Sequence, residues 1–277
     1  MRTQAEKGAA FRRLHERPGA FIIPNPWDAG TARILASLGF EALATTSLGL
    51  ANSLGRPDGV GVVSRDEVLE NCRVIAAATD LPVNADLENG YADEPKAAAE
   101  MIRLGAETGI VGGSIEDTTG EPDKPIYDFN LAVERVQAAV EVARALPVPF
   151  VLTARADGLL HGRPDLDDAI RRLQAFEKAG ADVLYAPGVR DLTTIRTVAS
   201  SVGKPLNVVM SAADPALTLA QLAEAGVKRI SVGGALSRLA LAAFIKGARE
   251  MKDQGAFTWV RNTVPSRDLK GMWRSGT

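Results

Sequence analysis

Much that would steer the chain toward familiar functions is missing from it. Only one of its 277 residues is a cysteine, Cys72, which excludes an intrachain disulfide and fits a reducing compartment. No apolar stretch reaches the roughly 18 to 20 residues that a bilayer span needs. The N-terminal Met1-Arg2-Thr3-Gln4-Ala5-Glu6-Lys7 has mixed charge and lacks the apolar run of a signal peptide. No basic run stands out and the formal net charge is −2, which gives no support to nucleic-acid or anionic-membrane binding. No G-x-G-x-x-G follows the first strand signal, and neither a low-complexity linker nor a break in composition marks a second domain. The expectation is a soluble, cytoplasmic protein with neither nucleic acid nor membrane as partner.

What is present is a globular composition, 46% apolar and 24% charged, in a length that suits one large domain. A helix signal over 4–17 ends at Pro18-Gly19. Phe21-Ile22-Ile23-Pro24 reads as a first strand, and Asp28 as the N-cap of a helix through Leu38 that Gly39 closes. Ala42-Leu43-Ala44-Thr45-Thr46 is a second strand, ended by Ser47-Leu48-Gly49 and followed by a long polar loop. Ser64-Arg65-Asp66-Glu67 has the capping-box pattern and opens a helix to about Thr79. The same alternation continues to a last long helix over 236–254. Eight strand signals, each followed by a helix signal, predict parallel pairing through right-handed crossovers and closure into a (β/α)8 TIM-like barrel. A doubly wound open sheet is the structural alternative. The expected organisation is a single barrel domain with an N-terminal helix over 1–255, then a polar arm or tail over 256–277.

The stretch Pro82-Val83-Asn84-Ala85-Asp86-Leu87-Glu88-Asn89-Gly90-Tyr91 is the centre of the chain's arrangement. It starts as a short apolar strand and runs out into two acids spaced i, i+2. Asp93 is a possible cap for the next helix, and Pro95 suits its first turn. In parallel α/β folds ligands bind at this end of the strands. Two close carboxylates repel unless a positive group lies between them, which a hard divalent cation satisfies; the plain alternative is a solvated acidic turn. In a barrel the same face also holds Ser47 and Gly49, Asp58 on its loop, Glu116 after the fourth strand and Arg155 after the fifth, with Asn207 in the seventh. Acids hold a cation, the cation and backbone N–H groups hold an oxyanion, and arginine grips a carboxylate.

Six segments carry a resemblance: Thr46-Ser47-Leu48-Gly49, Gly55-Arg56-Pro57-Asp58, Asp86-Leu87-Glu88-Asn89-Gly90-Tyr91, Ser114-Ile115-Glu116-Asp117, Thr153-Ala154-Arg155-Ala156-Asp157 and Pro205-Leu206-Asn207-Val208. In this order the chain resembles the isocitrate lyase/phosphoenolpyruvate mutase superfamily over roughly residues 20 to 250. The resemblance implies a barrel whose last helix packs on a neighbouring subunit, in homodimers or homotetramers. It implies Mg2+ or Mn2+ and a small 2-oxo acid or dicarboxylate handled through an enolate-like state. By the same resemblance Asp86 is the direct metal ligand, and Asp58, Glu88 and Glu116 hold the metal largely through its waters. Ser47 with the N–H groups of Leu48 and Gly49 forms a nest for substrate oxygens, and Arg155 and Asn207 bind substrate.

The chain also departs from the family pattern. Isocitrate and methylisocitrate lyases carry a lysine-rich Cys-Gly-His signature just after the strand-four acids. Here the stretch is Thr118-Thr119-Gly120-Glu121-Pro122-Asp123-Lys124-Pro125-Ile126-Tyr127, without cysteine or histidine and without the asparagine of phosphoenolpyruvate mutase. Ungapped counting from Glu116 puts Lys124 in place of the cysteine. Asp58, Lys124 and Arg155 are therefore the candidate catalytic residues, with Lys124 on a lid and the exposed alternative that it pairs with a nearby acid. Asp117 is expected to orient the loop and Asp157 to hold Arg155. His15 is expected on the surface, His161 near the mouth, Trp27 in packing, and Tyr91 either at the mouth or in packing. The leading functional expectation is a metal-dependent carbon–carbon lyase acting on a 2-oxo acid or hydroxy acid. A P–C bond enzyme and a non-catalytic dicarboxylate-binding barrel are the alternatives.

Overall fold

The computed structural model describes residues 2–274. In chain order it runs α1 (Gln4–Glu16), β1 (Phe21–Ile23), α2 (Ala29–Ser37), β2 (Leu43–Ala44), α3 (Ser47–Ser53), α4 (Arg65–Ala77) and β3 (Val83–Asp86). Next come α5 (Pro95–Glu107), β4 (Gly112–Glu116), α6 (Phe129–Ala145), β5 (Val151–Arg155), α7 (Leu166–Ala179) and β6 (Val183–Tyr185). The run ends with α8 (Leu192–Ser200), β7 (Leu206–Val209), α9 (Leu219–Glu224), β8 (Val227–Ser231), α10 (Ala235–Gln254), a 3-10 turn (Thr258–Asn262) and α11 (Ser266–Arg274).

All eight strands pair in parallel in the order β1-β8-β7-β6-β5-β4-β3-β2. The seam between β1 and β2 is bridged by Ala44 N–H to the Pro24 carbonyl (3.0 Å) and by the Asn25 amide to the Thr45 carbonyl (2.9 Å). The protein is thus a nearly closed (β/α)8 barrel, as the alternating signals predict.

The caps follow from the sequence. Asp28 accepts from Thr31 N–H, and Ser64 and Glu67 form a reciprocal box at the start of α4. The cap of α5 differs from expectation: Glu94 accepts from Ala97 N–H, while Asp93 is turned to the Tyr127 hydroxyl. Likewise the stretch after β2, read as a loop, begins with α3. Thr46 caps it by accepting from Gly49 N–H at 3.2 Å. A side chain at Gly49 would meet Thr46 Cγ2 at 2.6 Å and Trp27 Cβ at 3.0 Å, so only glycine lets this helix lie so close.

Two apolar layers position the site. One lies between strands and helices; the other fills the floor of the barrel, where Phe11 and Leu14 of α1 cover Phe21, Ile23, Ala42, Ala44, Val111, Val151 and Val183. His15, expected on the surface, is half-buried on this floor between the rings of Phe11 (4.7 Å) and Phe21 (5.1 Å). Burial and the nearby Arg229 charge lower its pKa to about 3, so it is neutral. Polar side chains close the remaining gaps, among them Lys7, whose ammonium donates to the Thr79 carbonyl (2.7 Å).

The 3-10 turn folds Trp259 against Gly247 of α10, and α11 packs on α2. Along α10, Leu239, Phe244 and Ile245 are 67%, 73% and 45% exposed. No helix among the described residues is long and apolar enough to cross a membrane.

Candidate active site

At the end of β3 the backbone itself is unusual. Glu88 and Tyr91 adopt left-handed conformations, φ 49° and 60°, and Gly90 follows suit at 79°. Non-glycine residues pay for that geometry, and such strain persists only where the surroundings enforce it. Arg135 of α6 is the enforcer. It is 1% exposed, lies under the Tyr127 ring at 4.1 Å, and donates to the carbonyls of Asn89, Ala92 and Asp93. The result is a fixed turn that places Asp86 and Glu88 at the mouth of the barrel.

Arg155, at the end of β5, organises the acids there. Its Nη1 meets Asp86 Oδ1 at 3.0 Å and Glu116 Oε2 at 2.9 Å. Its Nε and Nη2 pair with Asp157 at 3.1 and 2.6 Å. The other oxygen of Asp86 accepts Ser47 N–H at 3.2 Å, and its own N–H donates to the Thr45 hydroxyl at 2.9 Å. Glu116 accepts from the Thr118 hydroxyl at 2.6 Å, and Glu88 from Gly61 N–H at 3.1 Å. Asp157 is anchored in turn: its N–H donates to Asp117 Oδ1 (2.7 Å), and Asp117 Oδ2 takes Arg172 of α7 (3.1 Å). Asp157 thus holds Arg155, and Asp117, expected to orient the loop, also steadies Asp157 through its N–H.

Three acids surround one guanidinium, with Glu88 and Asp58 close by, and the imbalance shows in their protonation. Burial first, then Asp86, raises the Glu88 pKa to about 7 against the restraint of Gly61 N–H. Glu116 is raised chiefly by burial, opposed by Arg155. Asp157 follows the same pattern. Asp58 lies on an exposed loop, yet its carboxyl is pushed up by desolvation and by Asp86, while the Ser47 hydroxyl holds it down. Among the described residues no three His, Cys, Asp or Glu side chains converge on one point where an ion is already framed. The donors are nonetheless all carboxylate oxygens that repel one another, the chemistry that suits Mg2+ or Mn2+.

Several expected residues stand differently from expectation. Of the two amides expected to form a nest, the Gly49 N–H is used inside the protein by Thr46, and the Ser47 N–H donates to Asp86. Lys124, expected to reach inward, is 62% exposed and pairs with Asp128 at 2.7 Å. Its loop is a small hairpin, bridged between Thr118 and Ile126, with Thr119 bonded across to Lys124 and Pro125. The hairpin touches the 55–63 loop, where a side chain on Gly120 would meet Val60 Cβ at 3.0 Å. Cys72 is fully buried on α4 and burial raises its pKa to about 12, so it is no substitute for the missing cysteine. His161 is exposed on the loop after β5. The Tyr91 hydroxyl is buried beside the Glu88 carboxylate, and burial with that neighbouring charge raises its pKa. Trp27 packs on Gly49. Asn207 is 2% exposed; its amide nitrogen donates to the Ser231 hydroxyl (3.1 Å) and its oxygen accepts from Arg229 (2.8 Å).

Sequence reasoning passed over Arg135, Arg172, Tyr185 and Arg229. The three arginines lie within helices or strands, where charge reads as a solvated face, and no periodicity separates them from surface arginines. Tyr185, at the end of β6, sits under Arg155 at 5.1 Å and was legible only as a strand residue. Tyr185 and Arg229, with Asn25, Asp86, Ser114, Arg155 and Asn207, line a narrow cavity of about 60 Å³.

A (β/α)8 barrel with acids and an arginine at the strand ends defines a class of enzymes built around small acids, and comparison with known proteins narrows it. The family model described as phosphoenolpyruvate phosphomutase matches residues 11–252, and the chain belongs to that family, within the isocitrate lyase/phosphoenolpyruvate mutase superfamily. It is 31% identical over 229 residues to 2-methylisocitrate lyase of Escherichia coli K12, covering 79% of this chain and 76% of that protein. It is 30% identical to oxaloacetate decarboxylase of Pseudomonas fluorescens, covering 81% and 77%. The crystal structure of a candidate lyase/mutase from Burkholderia cenocepacia J2315 superposes with a TM-score of 0.94 at 58% identity, over 97% of this chain and 95% of that one.

Proposed function

We propose that the protein is a divalent-metal-dependent lyase that breaks or forms a carbon–carbon bond beside the carbonyl of a small 2-oxo acid or the corresponding hydroxy acid. The observation that supports this best is the excess of carboxylates around Arg155 at the mouth of the cavity. Asp86 would hold the ion, with Asp58, Glu88 and Glu116 around it. A bound Mg2+ or Mn2+ supplies Lewis-acid stabilisation of charge developing on a 2-oxo oxygen.

The chain's own residues do the rest. Arg155 and Ser47 N–H fix the two oxygens of Asp86, so its carboxylate is oriented before substrate arrives. Asp157 holds Arg155 square to the mouth. Asn207, braced by Ser231 and Arg229, offers its amide edge to the substrate. The 118–128 hairpin against the 55–63 loop limits water, which protects an enolate from premature protonation.

The absence of cysteine from that hairpin, and the sealed position of Cys72, argue against isocitrate or methylisocitrate cleavage and for chemistry that needs no thiol acid, such as decarboxylation of oxaloacetate. A P–C bond enzyme is the second reading, favoured by the family model itself. A homodimer or homotetramer is part of the proposal, with the exposed apolar residues of α10 covered by a neighbouring subunit. Assay of the purified protein with Mg2+ against 2-oxo acids, hydroxy diacids and phosphonopyruvate tests the reading. Turnover of oxaloacetate or a substituted malate supports it; turnover of phosphonopyruvate alone transfers the case to P–C chemistry, and turnover of none supports a binding barrel.

A further inference from the structure

Arg229 stands on β8 with its guanidinium inside the barrel, 3% exposed. Nε donates to Asn207 Oδ1 at 2.8 Å, and Nη2 crosses the interior to the Thr153 hydroxyl of β5 at 3.0 Å. Nη1 has no partner and is sealed from water. Arg155 faces Asp86, Glu116 and Asp157, and Arg172 faces Asp117 and Asp168, whereas Arg135 meets three carbonyls and, like Arg229, keeps one nitrogen, its Nε, without a partner. Arg229 has only neutral partners, and below it His15 is neutral too.

A guanidinium out of water without a counter-charge is costly, and an apolar side chain of similar volume would fill the same space without that cost. Its presence calls for an anion. The cavity it lines also contains Asn84, whose Oδ1 is buried without a partner, and the hydroxyls of Ser114 and Ser231. The cavity therefore runs from an acidic mouth to a basic floor. Arg155 at the mouth is already met by three acids, so an incoming carboxylate finds more unspent positive charge at Arg229.

We propose that Arg229, with Asn207 and Thr153, receives a second carboxylate of the substrate at the floor of the barrel. The substrate is then a diacid that stands along the barrel axis, its reacting end near Asp86 and its far end pointing inward rather than toward the hairpin. This rests on the reading above that the cavity takes a small 2-oxo or hydroxy acid. A purely structural Arg229, filling the interior, predicts a loss of stability on substitution but no change in the choice between diacids and monoacids.

The test is calorimetric binding in the presence of Mg2+ to two length-matched pairs: 2-oxoglutarate against 2-oxopentanoate, and malate against 2-hydroxybutyrate. In the wild type at least one diacid should bind more than about tenfold more tightly than its partner, the scale of a charge-assisted contact in a closed site. Arg229→Gln should bring that ratio to within about twofold, since any loosening of Asn207 weakens both members of a pair alike; Arg229→Lys should keep part of it. Monoacid binding with no diacid advantage in the wild type, or an advantage that survives in Arg229→Gln, overturns the inference and leaves the proposed function standing. Binding of neither class to the wild type overturns both. If the variants do not fold, wild-type crystals soaked with Mg2+ and 2-oxoglutarate decide it: a carboxylate on Arg229 supports the inference, and one turned to the hairpin overturns it.

Discussion

Asp157 grips Arg155 from only two residues away, Nε to Oδ1 at 3.1 Å and Nη2 to Oδ2 at 2.6 Å. The pair leaves Nη1 to meet both Asp86 and Glu116, so the orientation of one planar fork sets three acids at once. Lysine keeps the charge but has no such fork. Arg155→Lys should therefore be nearly as damaging as Arg155→Ala, by about 2 to 4 kcal/mol in transition-state terms. Steady-state kinetics decide; a lysine variant within about threefold of wild type would show that the fork is dispensable.

Exhaustive chelation with EDTA should abolish turnover, and Mg2+ or Mn2+ should restore it. Asp86→Ala should lose both activity and metal in a direct binding titration, while Asp28→Ala, a helix cap, should keep both. Full turnover after chelation would remove the metal from the proposal.

Protonation of the acids gives a pH signature. Glu88 titrates at about 7 in the folded protein against an ordinary value of 4.5, mainly because it is buried. Between those values the folded state holds a proton that the unfolded chain has released. Folding takes up protons there, so this residue makes metal-free stability fall as pH rises from 4.5 to about 7. Added Mg2+ should stabilise increasingly over the same window, since its ligands must lose their protons. Melting curves from pH 5 to 8 with EDTA or Mg2+ test both slopes. Glu88→Gln should flatten them, and an unchanged profile in that variant would assign the slope to other groups.

Lys124→Ala should leave turnover and its pH profile within about twofold, because an exposed ion pair with Asp128 contributes little. The hairpin as a whole is expected to matter more. Limited proteolysis should cut it in the free protein and be suppressed by Mg2+ with a 2-oxo diacid. A large loss in Lys124→Ala, with a displaced pH optimum, would return the proton-donor role to that lysine.

The barrel was legible because its signals are local and repeated: capping boxes, closing glycines and alternating strand runs name each element in turn. Asp86, Glu116 and Arg155 were legible because strand ends collect on one face whatever the helices do. α3 was not, since Gly49 argues against a helix until the closeness of Trp27 is known. Lys124 was placed by counting residues through a loop whose path is set by its own cross-bridge, and its ion pair with Asp128 matches the alternative of a pairing with a nearby acid. Arg135, Arg172 and Arg229 were invisible for a deeper reason. Whether an arginine faces water, a carbonyl or nothing is decided by elements far away in the chain, and for Arg229 the deciding partners lie on β5 and β7.

The β1–β2 seam has a consequence for how the barrel comes apart. Asn25 works there as a stitch: besides holding the Thr45 carbonyl, its oxygen takes the N–H groups of Val232 and Gly233 at 2.9 Å each. One amide thereby knits three neighbouring strand ends, and Thr45 through Ser47, which flank Asp86, hang from it. Elsewhere around the wall each strand pairs in parallel with the next, with one shift in register at Leu206/Asn207. Opening should begin at this seam, so the amides of residues 43–47 should exchange with solvent ahead of those in β4 and β5. An unrolled sheet would present β1 and β2 as bare edges to other chains, which makes Asn25, with the Ala44–Pro24 bond beside it, a guard against aggregation.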